Sequence, residues 1–259
     1  MRLDVASVLL AWGTGGLLGC WITTRHRVVG IGYGWLVRAV FVTMLIGAAA
    51  AGLASSDAGS GAIIRDLGAV AAATAGLLAL VMSVVRRGAG LQGSRSFDPR
   101  LDLLAPIAGL VALFGAADTV GGPYSLSAAR LVAGALLLGF VSDAMLLGHW
   151  YLVQPGLGRE PIRELVRLAA PAVALDVALL LVPTGMVSVL NGTIDDGYQG
   201  LLGWIWALSA FSTLALLGVT WLALKERSYS AVMAATGLLY LAILTAVGTD
   251  VLARALLAS

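Results

Sequence analysis

The sequence predicts an all-α fold, a polytopic bundle of about eight transmembrane helices in one integral membrane domain spanning residues 1–259, with both termini outside. Three observations lead there. Apolar runs of about 20 residues, the length that crosses a bilayer core, recur from one end to the other. Hydrophobic residues make up 59% of the 259 and charged residues only 12%, whereas soluble domains carry about a quarter charged residues. The basic residues also gather on alternate loops, as the positive-inside rule requires of a multi-pass protein.

The first run covers residues 5–24 and ends at Thr23-Thr24-Arg25-His26-Arg27. Leu17-Leu18-Gly19-Cys20 faintly resembles a lipoprotein cleavage box. However, Arg2 is offset by Asp4 while Arg25 and Arg27 follow the run, so charge favours an uncleaved span with its N-terminus outside. The second run, 33–53, carries Arg38 a little over one turn in. After the polar stretch 55–61 and Arg65-Asp66, the third run, 67–85, stops at Arg86-Arg87. The stretch from Gly88 to Arg100 is basic and glycine-bearing but has no phosphate-loop pattern, so it reads as a lipid-facing cytoplasmic loop. The fourth run, 103–117, is interrupted early by Pro106 and ends at Asp118 and the turn Gly121-Gly122-Pro123. The fifth, Leu131 to Gln154, holds Asp143 and His149. Arg159, Glu160, Arg163, Glu164 and Arg167 form a charged lead-in to the sixth, about 164–189, with Asp176 near its middle and prolines at 171 and 183. A loop with two aspartates, 191–200, precedes the seventh run, 201–224, whose Trp204, Trp206 and Trp221 suit an aromatic belt. Lys225-Glu226-Arg227 separates it from the eighth, about 231–257.

The loops after runs one, three, five and seven contain Arg25, Arg27, Arg86, Arg87, Arg95, Arg100, Arg159, Arg163, Arg167, Lys225 and Arg227, whereas the other side has Arg2, Arg65, Arg130 and Arg254. A multi-pass cell-membrane protein with both termini on the non-cytoplasmic side follows. An internal repeat would point to transporter architecture. The two four-run halves match only in Asp118 and Asp250 at their outer ends, too little to establish one. Asp250 and Arg254, four residues apart, read as a helix-surface ion pair.

The single cysteine, Cys20, excludes an internal disulfide and any multi-cysteine metal or iron–sulfur site. The two histidines, His26 and His149, lie at different places, which argues against a bis-histidine haem. No nucleophile elbow, zinc helix motif or GxGxxG dinucleotide fold occurs, so the sequence assigns no catalytic residue, metal or nucleic-acid partner and leaves open whether the chain is an enzyme. The residues that do stand out are polar groups at membrane depth, which by default mark functional sites. Asp143 falls roughly 15 Å, and Asp176 roughly 18 Å, from the cytoplasmic boundary on consecutive helices. Such helices are usually antiparallel neighbours, so the two carboxyls are expected to face each other and share a proton. Alternatively, each is a packing contact to a hydroxyl or to another subunit. Arg38, His149, Trp150 and Tyr151 near the cytoplasmic interface could hold a quinone head group, the one cofactor suggested. The alternative makes them interfacial anchors.

The expected function is therefore the handling of protons or a quinone, as the membrane subunit of a larger redox complex whose partners bring the redox groups. A small proton-coupled secondary transporter is the alternative, and a structural or assembly subunit the second. The lipid bilayer and other membrane subunits are the expected partners.

Overall fold

The computed structural model describes residues 3–55, 57–90 and 93–258; Arg2 and parts of the stretches 55–61 and 88–100 lie outside them. Among the described residues the regular structure is all helical. The long helices are α1 (Val5–Thr24), α2 (Ile31–Ala54) and α3 (Ser60–Gly88), then a single turn α4 (Pro99–Asp102) leading into α5 (Leu104–Thr119). They continue as α6 (Tyr124–Trp150), α7 (Glu160–Leu181), the short α8 (Gly185–Leu190), α9 (Leu201–Ala223) and α10 (Tyr229–Leu256). Among the described residues seven segments are long and apolar enough to cross a membrane: α1, α2, α3, α4–α5 together, α6, α9 and α10.

Local chemistry sets the ends. Asp4 caps α1 by accepting from the N–H groups of Ala6 (3.2 Å) and Ser7 (3.0 Å), satisfying donors that have no partner inside the helix. Asp98 caps α4, with Pro99 in its first turn. Pro106 falls in the first turn of α5, where its missing N–H costs little. Gly121 and Gly122, both at positive φ, make the corner into α6 that residues with a Cβ resist.

The sixth run differs most from expectation. Instead of one helix over 164–189, α7 starts at Glu160 and stops at Leu181, and α8 follows separately. Pro183 is the reason, because a residue before proline is driven to extended backbone, and Val182 has ψ 145°. With five charged residues, α7 is the long helix that falls outside the apolar seven.

Helix packing reveals an order that the sequence hides. In the first half α1 packs on α2, α2 on α3, α3 on α5, and α5 back on α1. In the second, α6 packs on α7, α7 on α9, α9 on α10, and α10 back on α6. The two circuits correspond, with α1 and α6 as the equivalent central helices. They meet in parallel, because Gly15 abuts Ala135 and Gly139 while Gly19 abuts Asp143. A side chain at Gly15 or Gly139 would strike the backbone of the facing helix. Small residues four apart on both helices, Gly15 and Gly19 against Ala135 and Gly139, thus permit the close crossing typical of membrane helices.

Candidate functional site: polar groups along the central seam

Asp143 lies just below the glycine crossing, on the face of α6 turned to α1. It is 0% exposed, and neither carboxyl oxygen has a hydrogen-bond partner. Gly19 makes the room, since a Cβ there would collide with Oδ2 of Asp143. The adjacent hydroxyls are occupied elsewhere. Thr23 donates to the carbonyls of Gly19 (3.2 Å) and Cys20 (2.9 Å), and Thr24 donates to that of Cys20 (2.7 Å). The buried Tyr33 hydroxyl from α2 sits 3.5 Å from the backbone carbonyl of Asp143, yet stops short of hydrogen-bond geometry with either carboxyl oxygen. A buried polar group is normally paired, so this carboxyl is anomalous.

Toward the Arg-bearing end, the next polar group is Arg38. It is neither a lipid anchor nor a free donor, being 2% exposed and bound by both ends of its fork to Asp102. Nε to Oδ1 is 3.0 Å and Nη2 to Oδ2 is 2.6 Å. Nη1 also donates to the Gly34 carbonyl (2.8 Å), Nη2 to the Thr24 hydroxyl (3.3 Å), and the guanidinium lies 4.1 Å from the Phe97 ring centroid. Such a two-pronged, charge-assisted pair is geometrically fixed. Beside it a cavity of about 10 Å³, bordered by Cys20, Trp21, Arg38 and Asp102, is the size of one water.

The other end of the seam holds a second cluster. Asp250 and Arg254 are not on the helix surface as expected. They are buried, with Nε to Oδ2 at 2.7 Å, and Nη1 of Arg254 reaches the Ser7 hydroxyl of α1 (3.4 Å). Asp176 belongs to this cluster. Gly134 of α6 is its meeting point, since a Cβ there would lie 2.8 Å from Oδ1 of Asp250, 3.6 Å from Nη2 of Arg254 and 3.7 Å from Oδ1 of Asp176. Arg130 closes the side by donating to the carbonyls of Leu179 (2.9 Å) and Val182 (2.5 Å) at the end of α7. Oδ2 of Asp176 and Nη2 of Arg254 have no partner.

Asp143 and Asp176 therefore do not face each other. Gly134 and Asp143 are nine residues apart, about 13.5 Å along α6. The early start and early stop of α7 carry Asp176 to within five residues of its far end, where a helix over 164–189 would have centred it. Nor are the four residues expected around a quinone brought together. His149 is exposed and turned to Tyr240 of α10, with Nδ1 3.3 Å from its hydroxyl. Trp150 donates to Gln154 (3.2 Å) and packs on Tyr33, and Gln154 also accepts from the Gly30 N–H (3.0 Å). Tyr151 is buried and donates to the Gly158 carbonyl (2.6 Å). Trp150 and Tyr151 thus fasten the α1–α2 and α6–α7 corners, and Arg38 is held by Asp102.

Three participants in these clusters are not evident from the sequence. Asp102 and Gly19 carry no signal of their own, since one sits at a run boundary and the other is one glycine among 33. Arg65, just before an apolar run, has the look of a loop charge. It is 1% exposed and ringed by Asp66 (2.8 Å), Asp57 (2.9 Å) and Asp4 (3.7 Å). No protein-family model, curated protein or solved structure matches this chain.

Proposed function

We propose that the chain is an eight-span membrane protein that couples proton movement to the transport of a solute, with Asp143 as the group that takes up and releases the proton. In this reading α7 is the sixth of eight spans and joins the seven apolar ones, its 22 residues being about 33 Å long. The loops bearing most of the arginines face the cytoplasm. The single observation that carries the reading is Asp143, a carboxyl sealed between helices with no hydrogen-bond partner on either oxygen. An ionised carboxylate in that setting is prohibitively costly, so the side chain is held neutral until its surroundings change.

Two features support a carrier over the subunit of a redox complex. Paired helix circuits meeting at a central seam are the architecture in which carriers place coupling sites, and Asp143 lies on that seam. The quinone reading lacks a gathered set of donors. Asp176, beside the Asp250–Arg254 pair, would serve as a second proton station nearer the outside. The glycine crossing between the two levels would keep them separate until the halves move.

The test is proton flux in liposomes containing the purified protein and an enclosed pH-sensitive dye, after an imposed pH jump. Asp143→Asn, which keeps the shape and hydrogen-bonding capacity, should abolish protein-dependent flux, and Asp176→Asn should slow it. Flux in Asp143→Asn equal to wild type would sink the proposal. Sidedness is checked separately. Ser94→Cys and Thr193→Cys, each in a Cys20→Ala background, should label from opposite sides of the membrane.

A further inference from the structure

The pairs α2–α3 and α7–α9 occupy equivalent places in the two halves, but only one is closed. Between α2 and α3, Trp35 donates to the Ser83 hydroxyl (2.8 Å), and Val42 packs onto Gly76, where a Cβ would lie 2.7 Å from its side chain. Between α7 and α9 a groove of about 290 Å³ remains, walled by Val166, Ala170, Leu214 and Leu217. Gly218 lies along it with nothing within 4 Å of the place its Cβ would take.

At the mouth of this groove stands Arg167, exposed, its guanidinium 5.5 Å from the Trp221 ring centroid. The two glutamates of its own helix are engaged elsewhere: Glu160 with Arg163 (3.3 Å), and Glu164 with Arg25 (2.6 Å) and His26 (3.6 Å). Among the described residues no carboxylate comes within ion-pair distance of Arg167. Arg163, which also donates to the Leu224 carbonyl (2.6 Å), and Lys225 add positive charge at the same end. A cation at the rim of an apolar slot between membrane helices matches the two ends of a lipid.

We propose that the α7–α9 groove binds an anionic phospholipid, with its phosphate on Arg167 and one acyl chain laid along Gly218. The site rests on the eight-span reading for its position in the cytoplasmic leaflet, but it does not depend on proton chemistry at Asp143. The test uses full-length protein in phosphatidylcholine nanodiscs doped with brominated-chain lipid, which quenches nearby tryptophan. Brominated phosphatidylglycerol should quench more than brominated phosphatidylcholine, and Trp221→Phe should remove the excess. Arg167→Gln should abolish the preference for the anionic lipid. Gly218→Leu should fill the groove and remove the excess while leaving the melting temperature within a few degrees of wild type. Equal quenching by the two lipids in wild type would overturn the proposal. So would a preference that survives both Arg167→Gln and Gly218→Leu, or one displaced by soluble glycerol phosphate. Nanodisc lipids reach both faces, so these outcomes do not depend on sidedness, which the cysteine labelling reads separately.

Discussion

The two halves share a circuit of helix neighbours and differ in how they treat buried charge. In the first half Arg38 is locked to Asp102, and Arg65 is ringed by Asp4, Asp57 and Asp66. In the second, Asp143 has no partner, and the Asp250–Arg254 pair leaves Nη2 of Arg254 and Oδ2 of Asp176 unpaired. A buried charge that is fully paired resists change, because breaking it strands its partner. An unpaired ionisable group can change protonation or partner without dismantling the helices around it. By this measure the buried charges of the first half are locked, and those of the second are left freer to change.

That contrast is broken or sharpened by mutation, and the largest effect belongs to the first half. Arg38→Ala leaves Asp102 buried and alone, which should cost about 3–5 kcal/mol. Thermal unfolding in detergent should show it, and the Arg38→Met, Asp102→Leu double variant should regain most of the loss. Next comes the seam itself. Gly15→Leu drives a side chain into the α6 backbone and should cost about 1–3 kcal/mol or more, read as a lowered melting temperature and faster proteolysis between the halves. Asp176→Asn should cost only about 1 kcal/mol or less, because one of its oxygens has no bond to lose. If it destabilises as much as Arg38→Ala, the contrast between the halves is wrong.

The smallest effect lies in the loop before α4. The Arg100 N–H and then the Arg86 guanidinium (3.0 Å) hold the Asp98 carboxyl below its ordinary range. A depressed carboxyl stabilises above its unfolded value, about 3.9, and that contribution disappears as pH falls through the lower folded value. Stability should therefore decline below about pH 4, by under about 1 kcal/mol because the pair is partly exposed to solvent. Asp98→Asn should flatten that part of the pH profile.

Composition made the helical membrane class legible, and it placed most helix ends to within a turn or so, because apolar length and flanking arginines are local signals. Asp143 was legible for the same reason, as a charge inside an apolar run. Its supposed partner was not. Placing Asp176 required the true ends of α7, and the proline at 183 stops that helix about two turns early. The pairing of Arg38 with Asp102 joins residues 64 positions apart, and no periodicity announces such a contact. The repeated circuit was invisible because packing order is conveyed by glycines and alanines, which look alike at every position. The spacing of Asp250 and Arg254 announces their pairing but not their burial, since spacing along a helix does not say which face is buried.

The most direct test of the central claim is infrared spectroscopy of the carboxyl stretch in wild type and Asp143→Asn, in matched lipid and across pH 5 to 9. Wild type should show a protonated-carboxyl band at neutral pH that shifts in deuterated water. That band should vanish in Asp143→Asn while the amide bands stay unchanged. A carboxyl spectrum identical in the two proteins would contradict the account, because Asp143 would then hold no exchangeable proton.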